Sequence, residues 1–357
     1  MKRSLSALLA LLLALVLCVS FAACGDPPPQ GGGTEPPGVT DPDGGTEDPP
    51  KEEEPDPQPE DERVEAIADN TFQDGFGVMG LNSATDGSSV KTQIKFGRRD
   101  PVWRIGQWGS RYNLNEPLQN SVTTQAMILA DRSKTVTLDR AENELTLALD
   151  ATKEYDTSEE SRVMWAHLLI EQSFDDFPQY RLGEFDSLVA TLDFSVTKAE
   201  KGAIETGDAA DTLPAQFLQY FYVVNYNQDS PGFGSFLWFG LGYLDTRYDS
   251  APLSYLQDTA GGTAGNYIYC LGAESTLGPG AFEVGREYSV EIDILPYISA
   301  ALQTAAENGF MLNTQLSDCV ITGMNLGWEV PGAWDVSATI GNLSLKGSLK
   351  NQQEENL

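Results

Sequence analysis

The side chains best placed to do chemistry are aromatic and clustered. In Phe217-Leu218-Gln219-Tyr220-Phe221-Tyr222-Val223-Val224-Asn225-Tyr226, strand alternation puts Tyr220, Tyr222 and Tyr226 on one face and Phe217, Phe221 and Val223 on the other. Phe236 and Trp238 alternate likewise with Leu237, Phe239 and Leu241, and that stretch runs through Tyr243 and Leu244 into Asp245-Thr246-Arg247-Tyr248-Asp249. Both faces avoid open water, which fits a central strand with one face in a core and the other lining a groove. Sugar rings present apolar CH faces that stack on Trp and Tyr, and hydroxyls that pair with planar groups such as Arg, Asp and Asn. A helix or loop laid over the second face would equally make these aromatics core.

Two further segments, Pro101-Val102-Trp103-Arg104-Ile105-Gly106-Gln107-Trp108-Gly109 and Gly327-Trp328-Glu329-Val330-Pro331-Gly332-Ala333-Trp334-Asp335, set Trp among glycines and charges near turns. The expected ligand-binding groups are therefore Trp238, Arg247, Asp245, Tyr222, Tyr243, Trp328, Glu329, Trp103 and Trp108. Three functions fit this set. The first is binding of a polysaccharide or cell-wall glycan without chemistry. The second is glycoside hydrolysis or lysis with Glu329 and Asp245 as the carboxyl pair, and the third is a structural surface module or protein adhesin.

Several familiar chemistries drop out. His167 is the only histidine, in a stretch apolar on both strand faces, which predicts a buried or edge histidine and leaves no zinc-protease motif and no ready Ser-His-Asp site. Gly75-Phe76-Gly77-Val78-Met79-Gly80 matches G-x-G-x-x-G in form, but no helical pattern follows it, and it reads as a glycine-rich turn. Glu291-Ile292-Asp293-Ile294 resembles the catalytic strand of laminarinase-type and agarase-type glycoside hydrolases. Their E-x-D-x-x-E motif sets acids on alternate residues of one cleft. Here Pro296 replaces the last acid, so no catalytic role carries over and the two acids read as solvent-facing. No cofactor or metal is expected.

The elements that must position these groups are strands. Eleven patterns rich in β-branched and aromatic residues run from Val90 to Leu345, among them Val122 to Leu129, Val163 to Ile170, Leu188 to Val196, Tyr267 to Leu271, Val320 to Met324 and Val336 to Leu345. One helix interrupts them, opened by Pro296, with Ile298, Ala301, Leu302 and Ala305 at helical spacing and Asn308-Gly309 as its stop. Strands without alternating helices predict an all-β jelly-roll or concanavalin-like β-sandwich, and exclude the two-lobed α/β architecture of solute-binding proteins. From Phe233 to Leu345 the pattern resembles bacterial jelly-roll carbohydrate-binding modules and the glycoside hydrolases built on the same sandwich.

The remaining signals concern location. Lys2 and Arg3, an apolar run from Leu5 to Val19 and the small residues Ala22-Ala23 before Cys24 have the parts of an export signal. Cys24 resembles the lipidated cysteine of bacterial lipoproteins, with Phe21 where that family usually has Leu; Cys18 follows bulky Leu17 and fits less well, and ordinary cleavage after Ala22 is the alternative. The resemblance implies a signal peptide over 1–23 and a lipid anchor holding the protein on the extracellular face of a bacterial membrane. Residues 24–63 read as a disordered linker: from Gly25 to Glu62 the chain holds eleven prolines, seven glycines, thirteen acids and one base, −12 of the net −31. Residues 64–348 form the sandwich domain and 349–357 a polar tail. With no basic stripe to displace counterions from phosphates, nucleic acid is excluded as a partner. Cys270 and Cys319, in apolar strand patterns, are expected to be buried thiols, although an exported domain could pair them.

Overall fold

The computed structural model describes residues 63–82, 89–157, 160, 163–202, 213–258 and 266–350. The expected signal peptide, Cys24 and all of the expected linker but Arg63 lie outside the described residues.

Seventeen strands among those residues make two sheets. The first runs in the order β15 (Glu287–Asp293), β10 (Phe185–Lys201), β17 (Trp334–Leu349), β8 (Glu144–Asp150), β7 (Lys134–Asp139), β6 (Ala126–Ala130), β5 (Gln119–Val122), with β1 (Val64–Glu65) also on β17. The second runs β13 (Ser254–Gln257), β14 (Tyr267–Leu271), β12 (Phe236–Asp245), β11 (Gln216–Asn225), β16 (Cys319–Val330), β9 (Ala166–Ser173), β4 (Trp103–Gly106), β2 (Gly75–Met79), β3 (Val90–Lys95). Pairing is antiparallel except for β12 with β14 and β2 with β4. The fold is the expected β-sandwich.

Alternation explains the core between the sheets. Along β10, Leu188, Ala190, Leu192, Phe194 and Val196 are buried while their neighbours are partly open. They meet Phe217, Phe221 and Val223 of β11 and Leu237, Phe239 and Leu241 of β12 in one continuous cluster. Of the described helices, α1 (Ala273–Leu277) is a single turn and α2 (Leu295–Glu307) is the expected amphipathic one. The latter starts with Pro296, buries Ile298, Ala301, Leu302 and Ala305, and stops at Gly309 with φ +86°.

Three local expectations are corrected. Gly75 to Met79 is not a turn but the fully buried strand β2, whose glycines leave room for neighbours: a Cβ at Gly77 would meet Val90 at 2.9 Å. Val122 to Leu129 is two strands, because Thr123 N donates to Ala126 O at 2.8 Å and Thr123 Oγ1 accepts from Ala126 N, folding the chain back into a hairpin. The strand expected from Val163 begins at Ala166, since Trp165 at φ +49° cannot continue a pleat. At the C-terminal end, Leu349 closes β17 and Lys350 N donates to Glu184 O, so the sandwich extends slightly into the expected tail.

Candidate functional site

The second sheet turns one face to the core and the other outward. On the outward face β11 presents Gln216, Tyr220, Tyr222 and Val224, β12 presents Phe236 and Trp238, β16 presents Asn325 and Glu329, and β9 presents His167 and Glu171. Tyr220, Tyr222, Phe236 and Trp238 are all half-buried. Neither sealed nor fully open, they make a continuous aromatic floor on this face.

The aromatic rings interlock around Trp238. Its ring lies edge-on to Tyr222 and Phe236, with centroids 4.9 Å away from each, and 5.8 Å from Tyr220. Trp238 Nε1 donates to Asp258 Oδ2 at 3.2 Å, which fixes the ring at the mouth of β13. Glycines leave room for two of the rings on this side of the sheet. A Cβ on Gly240 would fall 2.5 Å from Tyr220 Cε1, and one on Gly106 would fall 3.3 Å from the Trp108 ring.

Polar groups border this floor. On the β9 side the Tyr222 hydroxyl hydrogen-bonds Glu171 and is hydrogen-bonded by Asn325. Glu171 also pairs with Arg104 at 2.9 Å, and Arg104 reaches Ser173 Oγ at 2.7 Å. Burial raises the Glu171 carboxyl, partly countered by Arg104. Asn325 Oδ1 is buried without a hydrogen-bond partner. Four residues further along the same β16–β9 pair, Glu329 sits directly across from His167, with Oε2 4.0 Å from Nε2. Burial raises this carboxyl too, His167 counters it and Asp258 adds to it, yet 18% of the side chain stays exposed. His167 is flanked by Trp108, ring centroids 5.8 Å apart, and Trp165, 6.5 Å apart.

No family model matches the chain, and no curated protein matches it. Among solved structures, the native family 12 xyloglucanase from Bacillus licheniformis is similar at a TM-score of 0.38 and 10% identity over 68% of this chain and 99% of that one. A metagenome-derived glycoside hydrolase family 12 endoglucanase gives 0.36 and 10% over 71% and 100%. The xyloglucanase domain of NopAA from Sinorhizobium fredii, in complex with cellobiose, gives 0.32 and 9% over 64% and 97%.

Of the residues expected to bind, the fold brings Trp238, Tyr222, Glu329 and Trp108 to the outward face. Asp245 and Arg247 stand at the end of that face, where Gln216 pairs with Asp245 on one side and with Glu329 on the other. They occupy each other: Arg247 Nε and Nη2 donate to the two Asp245 oxygens at 2.9 and 2.6 Å, and Gln216 Nε2 adds a third bond at 3.0 Å. Asp245, thus committed, is no free partner for Glu329.

Tyr243, Trp328 and Trp103 are corrected to core residues. Their alternation carries them inward, where Tyr243 donates to Gln219 Oε1 at 2.8 Å, Trp328 Nε1 to Leu147 O at 3.0 Å and Trp103 Nε1 to Asp69 O at 2.8 Å. His167, expected to be buried or at an edge, is instead half-buried on the outward face of the interior strand β9. The Glu291 and Asp293 pair lies on β15 of the other sheet, where Asp293 accepts from Leu188 N and Leu295 N.

Glu171, Asn325 and Asp258 were missed. For Glu171 a signal existed, since it continues the His167, Leu169 face of β9. Nothing local marks Asn325 or Asp258: register sets Asn325 beside Tyr220, and Asp258, just after β13, meets the Trp238 indole.

Proposed function

We propose that the outward groove binds a polysaccharide chain, and that the protein carries it at the bacterial cell surface on a lipid anchor at Cys24. The observation carrying this reading is the half-buried cluster of Trp238, Tyr220, Tyr222 and Phe236 bordered by carboxyl and amide groups. Aromatic faces offer stacking area to sugar rings, and the Glu329 carboxyl, 18% exposed beside them, offers a polar group that ligand hydroxyls can reach. The ligand expected is uncharged, because Arg104 and Arg247 are each already paired with a carboxylate. A glycan array, followed by retention on the insoluble form of the best ligand, tests the reading; no retention of the wild-type protein on any glycan overturns it. Anchoring is tested in the native host, where Cys24→Ala should move the protein from the membrane fraction to the medium.

A second reading is favoured by one observation. Glu329 is a raised, accessible carboxyl under the electrostatic influence of Asp258, as a general acid and its opposed carboxylate would be. In this reading the groove hydrolyses the glycan it binds, with Asp258 in place of the expected Asp245. Release of reducing ends, lost in both Glu329→Gln and Asp258→Asn, selects it over binding alone.

A further inference from the structure

We propose that the groove continues past the Trp238 cluster to a second aromatic platform formed by Tyr226 and Phe233, so that the protein holds an oligosaccharide along β11 rather than a single sugar. The proposal rests on the glycan reading above and adds to it a subsite and a minimum ligand length.

The strand ladder places the platform. Asn225 pairs with Cys319 at the end of β11, and Tyr226 N then donates to Asp318 O at 2.8 Å, extending the β11–β16 ladder by one residue. Alternation therefore puts Tyr226 on the outward side, in line with Tyr220, Tyr222 and Val224. Tyr226 lies four positions beyond Tyr222, the partner of Trp238, about 13 Å of strand, and two beyond the Val224–Phe236 pair, so a chain stacked on Trp238 must be longer than a disaccharide to reach Tyr226.

Phe233 comes from the turn that leads back into β12 and sets its ring 6.4 Å from that of Tyr226. The two residues are 51% and 50% exposed. Lone exposed aromatics are ordinary, but two in contact, on the continuation of an aromatic floor, leave a joined apolar area facing water.

The platform is also held rigidly, which limits the entropy a ligand would have to overcome. Asn225 Nδ2 donates to Ser230 Oγ and Thr314 Oγ1 at 2.9 Å each, and Gly234 N donates to Asn225 O at 2.8 Å with Gly234 at φ +83°. Arg181 lies over the Tyr226 ring, its guanidinium carbon 5.7 Å from the centroid, while Nη2 donates to Tyr226 O at 3.0 Å. That guanidinium serves backbone carbonyls and the ring. The ligand class at this end is the same uncharged glycan as at the Trp238 end.

Titration calorimetry of the full chain with cello-, xylo- and chito-oligosaccharides, each as disaccharide and hexasaccharide, tests the proposal. For the series that binds, the hexasaccharide should bind about tenfold or more tightly than the disaccharide, because the second contact is intramolecular once the first is made. Phe233→Ala and Tyr226→Ala should each remove most of that gain and leave disaccharide affinity and the melting temperature close to wild type. Equal affinity for both lengths, with Trp238→Ala still abolishing binding, overturns the second platform and leaves the glycan reading standing. Loss of affinity for both lengths alike in Phe233→Ala overturns it too. Binding indifferent to Trp238→Ala, or no binding in any series, removes the glycan reading and the platform with it.

Discussion

Glu329 and His167 are a cross-strand pair of β16 and β9, with the carboxylate oxygen 4.0 Å from the imidazole Nε2 on the outward face of the sheet. The only histidine of the chain therefore faces a carboxyl that burial raises. Trp108 and Trp165 hem the imidazole in, and Trp108 O lies 3.2 Å from its Nδ1.

This pairing gives a pH signature. Burial raises the Glu329 carboxyl above the 4.5 of an ordinary glutamate, so as pH climbs past that value the unfolded chain releases its proton first and the native state is penalised. Stability contributed by this group therefore falls as pH rises, and Glu329→Gln should melt at the same or a higher temperature than wild type at neutral pH. The gap between variant and wild type should close below about pH 4.5, as thermal melts across the acid range would record. A variant less stable at neutral pH than in acid, relative to wild type, contradicts this.

Trp238 and Trp328 should part company. Trp328 is sealed between the sheets, and Trp328→Ala should cost about 3–5 kcal/mol by denaturant titration. Trp238→Ala, at the half-open groove, should cost about 1 kcal/mol in contacts with Tyr222 and Phe236 while retention on polysaccharide disappears. A large fall in melting temperature for Trp238→Ala with retention intact would return the cluster to the core.

Away from the groove, Lys134 is fully buried between Asp131 and Glu154, with Nζ 3.0 Å from each. Glu154 also accepts from Ser133 Oγ and Arg111 N. Lys134→Met should destabilise the protein by about 3–5 kcal/mol, because it leaves buried carboxylates uncompensated, and Lys134→Met with Glu154→Leu should recover part of that loss. Equilibrium unfolding of the single and double variants measures both.

Cys270 and Cys319 are buried free thiols, each pushed up to about 12 by burial. Neither should react with alkylating reagents in the native state, and both should label once the chain is unfolded. Intact mass under non-reducing conditions should show no loss of two hydrogens.

Much of the sandwich was legible because period-two patterning is strong where one strand face is core, as along β10, β11 and β12. Legibility failed where glycine dilutes that pattern, as in β2, and where a turn is made by Thr123 without Gly or Pro. Four residues of the groove could be read from composition and alternation. Trp103 and Trp328 could not be placed, since flanking glycines and charges suggest exposure whereas strand parity decides it. The opposition of Glu329 and His167 spans 162 positions of chain and follows from register alone.

The absence of a side chain at Gly240 shapes the groove as much as any ring does. Tyr220 occupies the space a methyl group would take, so the height of the floor at that point is set by bare backbone. Gly240→Ala would set a methyl group between the Tyr220 ring and Cys270 Sγ, 2.8 Å from the sulfur, and so change the contour of the floor at that point. If the proposed glycan lies on this floor, the surface it meets there is set by one missing methyl group.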